Sequence, residues 1–141
     1  MKKLIIFPLI FTLFVSCKRN KDSTCNLSTA SLSGSYRITA VRYKDTPTSP
    51  ETNYYNQFFT EACERDDILT LNANGTYTYA DAGVKCSPTS DDTGDWSLAG
   101  NTLTIDGGPE NVDSFDCSTL FLSSSDVFNT GDKLILILTR Q

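Results

Sequence analysis

The sequence has no histidine, a single tryptophan and a single methionine in 141 residues, and its 12 basic side chains are outnumbered by 17 acidic ones. Without histidine, no Ser-His-Asp or Cys-His pair and no imidazole metal ligand can form within the chain. A formal net charge of −5 lacks the concentrated Lys and Arg that a phosphate backbone demands, so nucleic acid is not an expected partner. The longest apolar run, Leu4 to Val15 with Pro8 and Thr12 inside it, falls short of the roughly 20 residues of an ordinary transmembrane helix. What the chain does have is five cysteines and enough apolar residues, 39%, to close one core in a domain of ordinary size.

Met1–Cys17 reads MKKLIIFPLIFTLFVSC, followed at once by the polar, charged residues Lys18 to Asp22. Lys2 and Lys3 ahead of a short apolar stretch fit a secretory signal, which is excluded from fold reasoning. Phe14-Val15-Ser16-Cys17 resembles a bacterial lipobox, with Phe14 where Leu is commoner. The resemblance implies a signal peptide over residues 1–16, cleavage before Cys17 and acylation of its thiol. The mature chain would then carry 10 basic against 17 acidic side chains, a balance of −7. Each buried methylene of an acyl chain adds about 0.8 kcal/mol, so the membrane is met through lipid and not through a basic surface. Residues 17–33, polar and rich in Ser and Thr, read as a lipidated tether. Lys18 stands where many enterobacterial lipoproteins held at the inner membrane have aspartate, so the resemblance favours the outer membrane and leaves the leaflet open.

Five is an odd number, and an anchor at Cys17 leaves Cys25, Cys63, Cys86 and Cys117. In an oxidising compartment these read as two disulfides, for which three connectivities exist. Between Cys63 and Cys86 lie Asp67–Asn72, the turn residues Ala73-Asn74-Gly75, and Thr76–Ala80, a strand–turn–strand signal. With Asn72 facing Thr76, counting outward brings Cys63 beside Cys86. Cys25–Cys117 follows by elimination. No Cys-x-x-Cys pair is present to suggest a thiolate metal site.

Short alternating runs separated by turn residues predict an antiparallel all-β domain over residues 34–141. The expected strands are Tyr36–Tyr43, Asp67–Asn72, Thr76–Ala80, Asp95–Leu98, Thr102–Asp106, Val112–Asp116, Thr119–Ser123 and Lys133–Thr139. Eight strands joined by short turns close an up-and-down barrel, filled by side chains or holding one small ligand. Alternate positions put Tyr36, Ile38, Leu69, Leu71, Tyr77, Tyr79, Trp96, Leu98, Leu103 and Ile105 on the interior face. Thr70, Thr76, Thr78, Asp95, Ser97, Thr102 and Thr104 face solvent. Leu134–Leu138 is apolar on both faces, so its outer side needs cover. Ser49-Pro50-Glu51 offers a helix N-cap, a first-position proline and a first-turn acid. Tyr54 and Phe58, with Tyr55 and Phe59, then follow at i, i+4, predicting one short aromatic helix across a barrel mouth between the first two strands.

Several segments carry a wider likeness: Leu32–Ile38 (LSGSYRI), Cys63–Asp67 (CERDD), Leu71–Tyr77 (LNANGTY), Gly94–Leu98 (GDWSL) and the closing Leu136–Arg140. In order and spacing they resemble the bacterial lipocalin-like domains of many Bacteroidetes lipoproteins. Lipocalins usually open with Gly-x-Trp, the Trp packing on an Arg near the last strand. Gly34-Ser35-Tyr36 and Arg140 match by position, with Tyr in place of Trp, and imply a barrel-floor packing pair, Tyr36 and Arg140.

The acids Asp91, Asp92 and Asp95, and Glu61, Glu64, Asp66 and Asp67, cluster without the spacing of a calcium loop. No nucleophile stands beside a base in a recognisable motif, and no Gly-rich phosphate loop follows a strand. No enzyme activity, cofactor or resident metal is therefore expected. The reading that remains is an envelope lipoprotein with no nucleic-acid partner, whose barrel binds or carries a small apolar or amphipathic ligand. Its rival is a structural or protein-interaction lipoprotein with a solidly packed barrel and no ligand.

Overall fold

The computed structural model describes residues 25–141; the expected signal peptide, Cys17 and the tether as far as residue 24 lie outside the described residues. A one-turn helix α1 (Thr29–Leu32) leads into nine strands: β1 (Gly34–Lys44), β2 (Thr52–Asn53), β3 (Ile68–Leu71), β4 (Thr76–Ala80), β5 (Asp92–Ala99), β6 (Thr102–Ile105), β7 (Gly108–Phe115), β8 (Thr119–Ser125) and β9 (Lys133–Arg140). A second one-turn helix, α2 (Tyr55–Phe58), and a 3₁₀ turn (Ala62–Glu64) lie between β2 and β3.

Every pairing is antiparallel, and β9 returns to β1 along Tyr36–Lys44, so eight strands close into a ring. The ninth, β2, is an addition to the eight expected. β3 pairs with β1 only at Gly34–Tyr36, which leaves the upper edge of β1 open, and Thr52–Asn53 takes it opposite Arg42 and Tyr43. Closure matters because an unpaired edge is a template for aggregation.

Two bulges set which side chains face inward. Between Ile38 and Ala40 the register of β1 on β9 slips by one residue, so Tyr36 and Ile38 are followed inward by Val41 and Tyr43 instead of Ala40 and Arg42. The register of β7 on β8 slips likewise between Val112 and Ser114, bringing Phe115 against the core after Val112. On β9, Leu134, Leu136 and Leu138 turn inward. Ile135 and Ile137, on the outer face, are each only 8% exposed, flanked by Ala40 and Arg42 of β1 and by Phe121 and Ser123 of β8.

The helix expected to start at Ser49-Pro50-Glu51 does not start there. Strand pairing holds Thr52–Asn53 extended, and Glu51 is drawn to Arg42 at 2.9 Å. The helical turn begins only after Asn53, whose side-chain oxygen accepts the Tyr55 N–H at 2.9 Å. Its aromatic face is also divided. Tyr54, Tyr55 and Phe59 pack against Val41, Tyr43 and Leu134, whereas Phe58 stays exposed beside Phe128, ring centroids 6.4 Å apart.

Disulfides join Cys25 to Cys117 and Cys63 to Cys86. The first lies at the end of the barrel that carries α1 and the β7–β8 turn. The second joins the β1–β3 connection to the β4–β5 loop at the opposite end.

Candidate functional site

One end of the barrel is closed by its own side chains. Leu32, Tyr36, Leu71, Trp96, Leu103, Val112 and Leu120 form a continuous buried cluster. Arg140 lies over the Tyr36 ring at 5.3 Å and the Phe115 ring at 5.8 Å, a cation–π arrangement. Its guanidinium donates to the Tyr36 hydroxyl at 2.7 Å and to the carbonyls of Ser31 and Ser33. The Tyr36 hydroxyl donates in turn to the Leu32 carbonyl at 2.7 Å. These are the carbonyls that the end of α1 leaves without helical partners, so the Arg140–Tyr36 pair caps the helix that plugs the floor. Trp96 completes the closure: its indole N–H donates to the Asn72 carbonyl at 2.9 Å, and its backbone N–H to the Gly75 carbonyl at 2.7 Å. Gly75 sits at φ 87°, a left-handed turn conformation open to glycine.

The other end is hollow. A cavity of about 400 Å³ opens among Ile38, Leu69, Tyr79, Ile105, Leu122, Leu136 and Leu138, with Tyr77, Ser90, Asp92, Gly108 and Glu110 at its polar side. Of the residues expected to line the interior, Ile38, Leu69, Tyr77, Tyr79 and Ile105 border this cavity, whereas Tyr36, Leu71, Trp96 and Leu103 belong to the solid floor. The wall shares Ile38 and Leu136 with the aromatic cluster of Tyr43, Tyr54, Tyr55 and Phe59, so α2 stands at the side of the open end.

The polar side of the cavity is held by hydroxyl and amide donors. Tyr77 reaches two carboxylates, Asp92 and Asp106, at 2.8 Å each, and together they raise its hydroxyl pKa well above the ordinary phenol value. That reach depends on Gly94, opposite Tyr77 on β5, where a Cβ would overlap Asp106 and the Tyr77 ring. Burial first, and then the Asp67 charge, push the Tyr79 hydroxyl up to about 12. Asp67, 5% exposed, accepts from Ser90 at 2.8 Å and from the Ala82 N–H. Glu110 accepts from the Ser124 hydroxyl across the gap where β7 and β8 part. Within the β8–β9 turn, buried Asp132 accepts the backbone N–H groups of Val127, Phe128 and Asn129 and the Tyr43 hydroxyl. Burial opposes its charge, but those donors prevail and hold its carboxyl below the usual range.

Glu110, Asp92, Ser90 and the three leucines of β8 and β9 are cavity residues that interior patterning did not assign. Glu110 was legible in one respect, since it lies two positions before Val112 and faces Leu103. The Gly107-Gly108-Pro109 run that marks a turn hid it: the turn is tighter, and Gly108 and Pro109 are already paired in β7.

Among the described residues, no group of three or more His, Cys, Asp or Glu is arranged to hold a metal ion, and no helix is long and apolar enough to cross a membrane. The two disulfides point to an extracytoplasmic compartment. No curated protein matches the chain. A family model, that of the lipocalin-like domain, matches residues 32–134, which take in α1's last residue, β1 to β8 and the start of β9. A closed ring of antiparallel strands, plugged at one end and hollow at the other, accords with that match, and the chain belongs to the lipocalin-like domain family.

Proposed function

We propose that this chain is a bacterial envelope lipoprotein, held at the outer membrane by lipid on Cys17, whose barrel binds or carries a small apolar or amphipathic ligand. The observation that carries the ligand reading is the cavity of about 400 Å³ with its leucine, isoleucine and tyrosine walls. Pockets for small molecules run from roughly 300 Å³ upward and combine apolar walls with a few fixed polar groups. The rival reading, an interaction lipoprotein with a solid barrel, needs the interior filled along its whole length. The hollow end weighs against it. The lipid reading rests on Phe14-Val15-Ser16-Cys17 and the apolar stretch before it, and the Bacteroidetes-type reading on the order and spacing of the segments between Leu32 and Arg140.

Native mass spectrometry of protein purified from its own envelope tests the ligand reading. A small molecule retained at one per chain supports it, and a chain that flies bare from every gentle preparation counts against it. For the anchor, Cys17→Ala releases the protein from membranes into the soluble fraction; continued retention refutes lipidation.

A further inference from the structure

Of the twelve residues around the cavity, two are carboxylates and none is Lys or Arg. Asp92 accepts from Tyr77 and from the Thr93 N–H, and Glu110 from Ser124. Behind them, Asp106 shares the Tyr77 hydroxyl and Asp67 holds Ser90. All of these donors are neutral. The two ion pairs among the described residues, Arg42–Glu51 and Lys133–Asp113, use other acids. Lys133 borders the same groove beside the β7–β8 gap as Glu110, and Asp113 holds it at 2.8 Å. Among the described residues, no ion pair neutralises the negative charge on the polar side of the cavity.

This decides what the cavity favours. An apolar body entering it expels water from Asp92 and Glu110, and a carboxylate stripped of water without a counter-charge is costly to bury. A ligand that brings its own cation converts that cost into a charge-assisted contact. A fatty-acid carboxylate adds a like charge instead. Tyr77 and Tyr79 line the same cavity, and aromatic rings attract an ammonium group.

We propose that the cavity selects cationic amphiphiles: an alkyl or ring body lodged among Ile38, Leu69, Ile105, Leu122, Leu136 and Leu138, and an amine or quaternary ammonium head at Asp92 and Glu110. The inference rests on the ligand-binding reading of the same cavity and names the class of ligand.

Three probes of one chain length separate the two claims. Decyltrimethylammonium, decanol and decanoate are titrated calorimetrically into the disulfide-intact protein, each below its micelle concentration. The expected result is one site per chain, with the ammonium bound roughly tenfold or more tighter than decanol and decanoate weakest. In Asp92→Asn/Glu110→Gln the ammonium affinity falls toward that of decanol, and Glu110→Gln alone gives part of the fall if the double variant misfolds by near-UV circular dichroism. Asp95→Asn, which removes an exposed charge from the outer face of β5, leaves the ammonium preference in place. Equal affinities for the three probes, or tighter decanoate, overturn the charge selectivity while the ligand cavity stands. An ammonium preference that survives both rim substitutions overturns the assignment to Asp92 and Glu110. If none of the three binds, the ligand-binding reading fails and takes this inference with it.

Discussion

Floor and mouth are two ends of the same strands, yet they are held by different means. At the floor, β1, β5, β6, β7 and β8 contribute Tyr36, Trp96, Leu103, Val112 and Leu120 to one buried cluster. Arg140 there is fixed by aromatic faces and helix-end carbonyls. At the mouth, β1, β3, β6, β8 and β9 present apolar side chains to an empty space, and the carboxylates above it are held by neutral donors. Burial against neighbours supplies most of the stability of a small domain, whereas a wall facing a cavity forgoes part of that contact energy. The floor thus has the character of a folding core and the mouth that of a recognition surface, where loops on a rigid frame carry function.

The strongest way to break this comparison is to cut the staples in turn. The Cys25–Cys117 bond spans 92 residues and the Cys63–Cys86 bond 23, so loop-closure entropy alone gives about 4.5 and about 3.5 kcal/mol respectively. Urea denaturation of Cys25→Ser/Cys117→Ser should show the larger loss, and a larger loss from the mouth pair Cys63→Ser/Cys86→Ser contradicts the ranking. Next in size are core truncations. Leu32→Ala, at a fully buried residue of the floor, should cost about 3 kcal/mol. Leu136→Ala, on a wall already beside a cavity, should cost about 1.5 kcal/mol because less packing is lost. Equal losses in matched thermal melts would erase the distinction between packed floor and hollow mouth.

The smallest effect concerns pH. Asp132 in the folded chain titrates below the ordinary 3.8, so its anion is the form that folding favours. Its contribution is fully present above the ordinary carboxylate value and is lost as pH falls through the depressed one. Melting temperature followed from pH 6 to pH 2 should therefore drop less steeply for Asp132→Asn than for the native chain in the acid limb. A parallel pair of curves would show that the β8–β9 turn is not held by that charge.

Much of the barrel was legible because alternation of period two is strong in β3 to β6, where Leu69, Leu71, Tyr77, Tyr79, Trp96, Leu103 and Ile105 all fall in phase. Counting outward from Asn74-Gly75 also pointed to Cys63 and Cys86, since a hairpin turn fixes the register of both arms. The phase fails at the bulges. A slipped residue beyond Ile38 puts Val41 and Tyr43 inside, and nothing in VRYK announces it. The helix start at Ser49-Pro50-Glu51 was misleading for a related reason: a local cap signal lost to long-range pairing of Thr52–Asn53 with β1. The division of the interior into floor and cavity is a matter of where side-chain volume runs out, and a face pattern carries no such measure. Glu110 and Asp92 became part of the site only once pairing of β6 with β5 on one side and β7 on the other set both on the same rim.

The Cys25–Cys117 bond also decides how a pull on the chain would be borne. The eight residue steps from Cys17 to Cys25 reach at most about 29 Å when fully drawn out, a short leash if Cys17 carries the proposed lipid. Tension along that leash passes through the sulfurs into the β7–β8 turn and from there into a ring of paired strands. Helix α1 begins four residues beyond Cys25, past the point at which the disulfide ties the chain to the β7–β8 turn. Under the proposed lipidation of Cys17 the load therefore enters at the floor, and the mouth, at the far end from Cys117, faces away from the membrane.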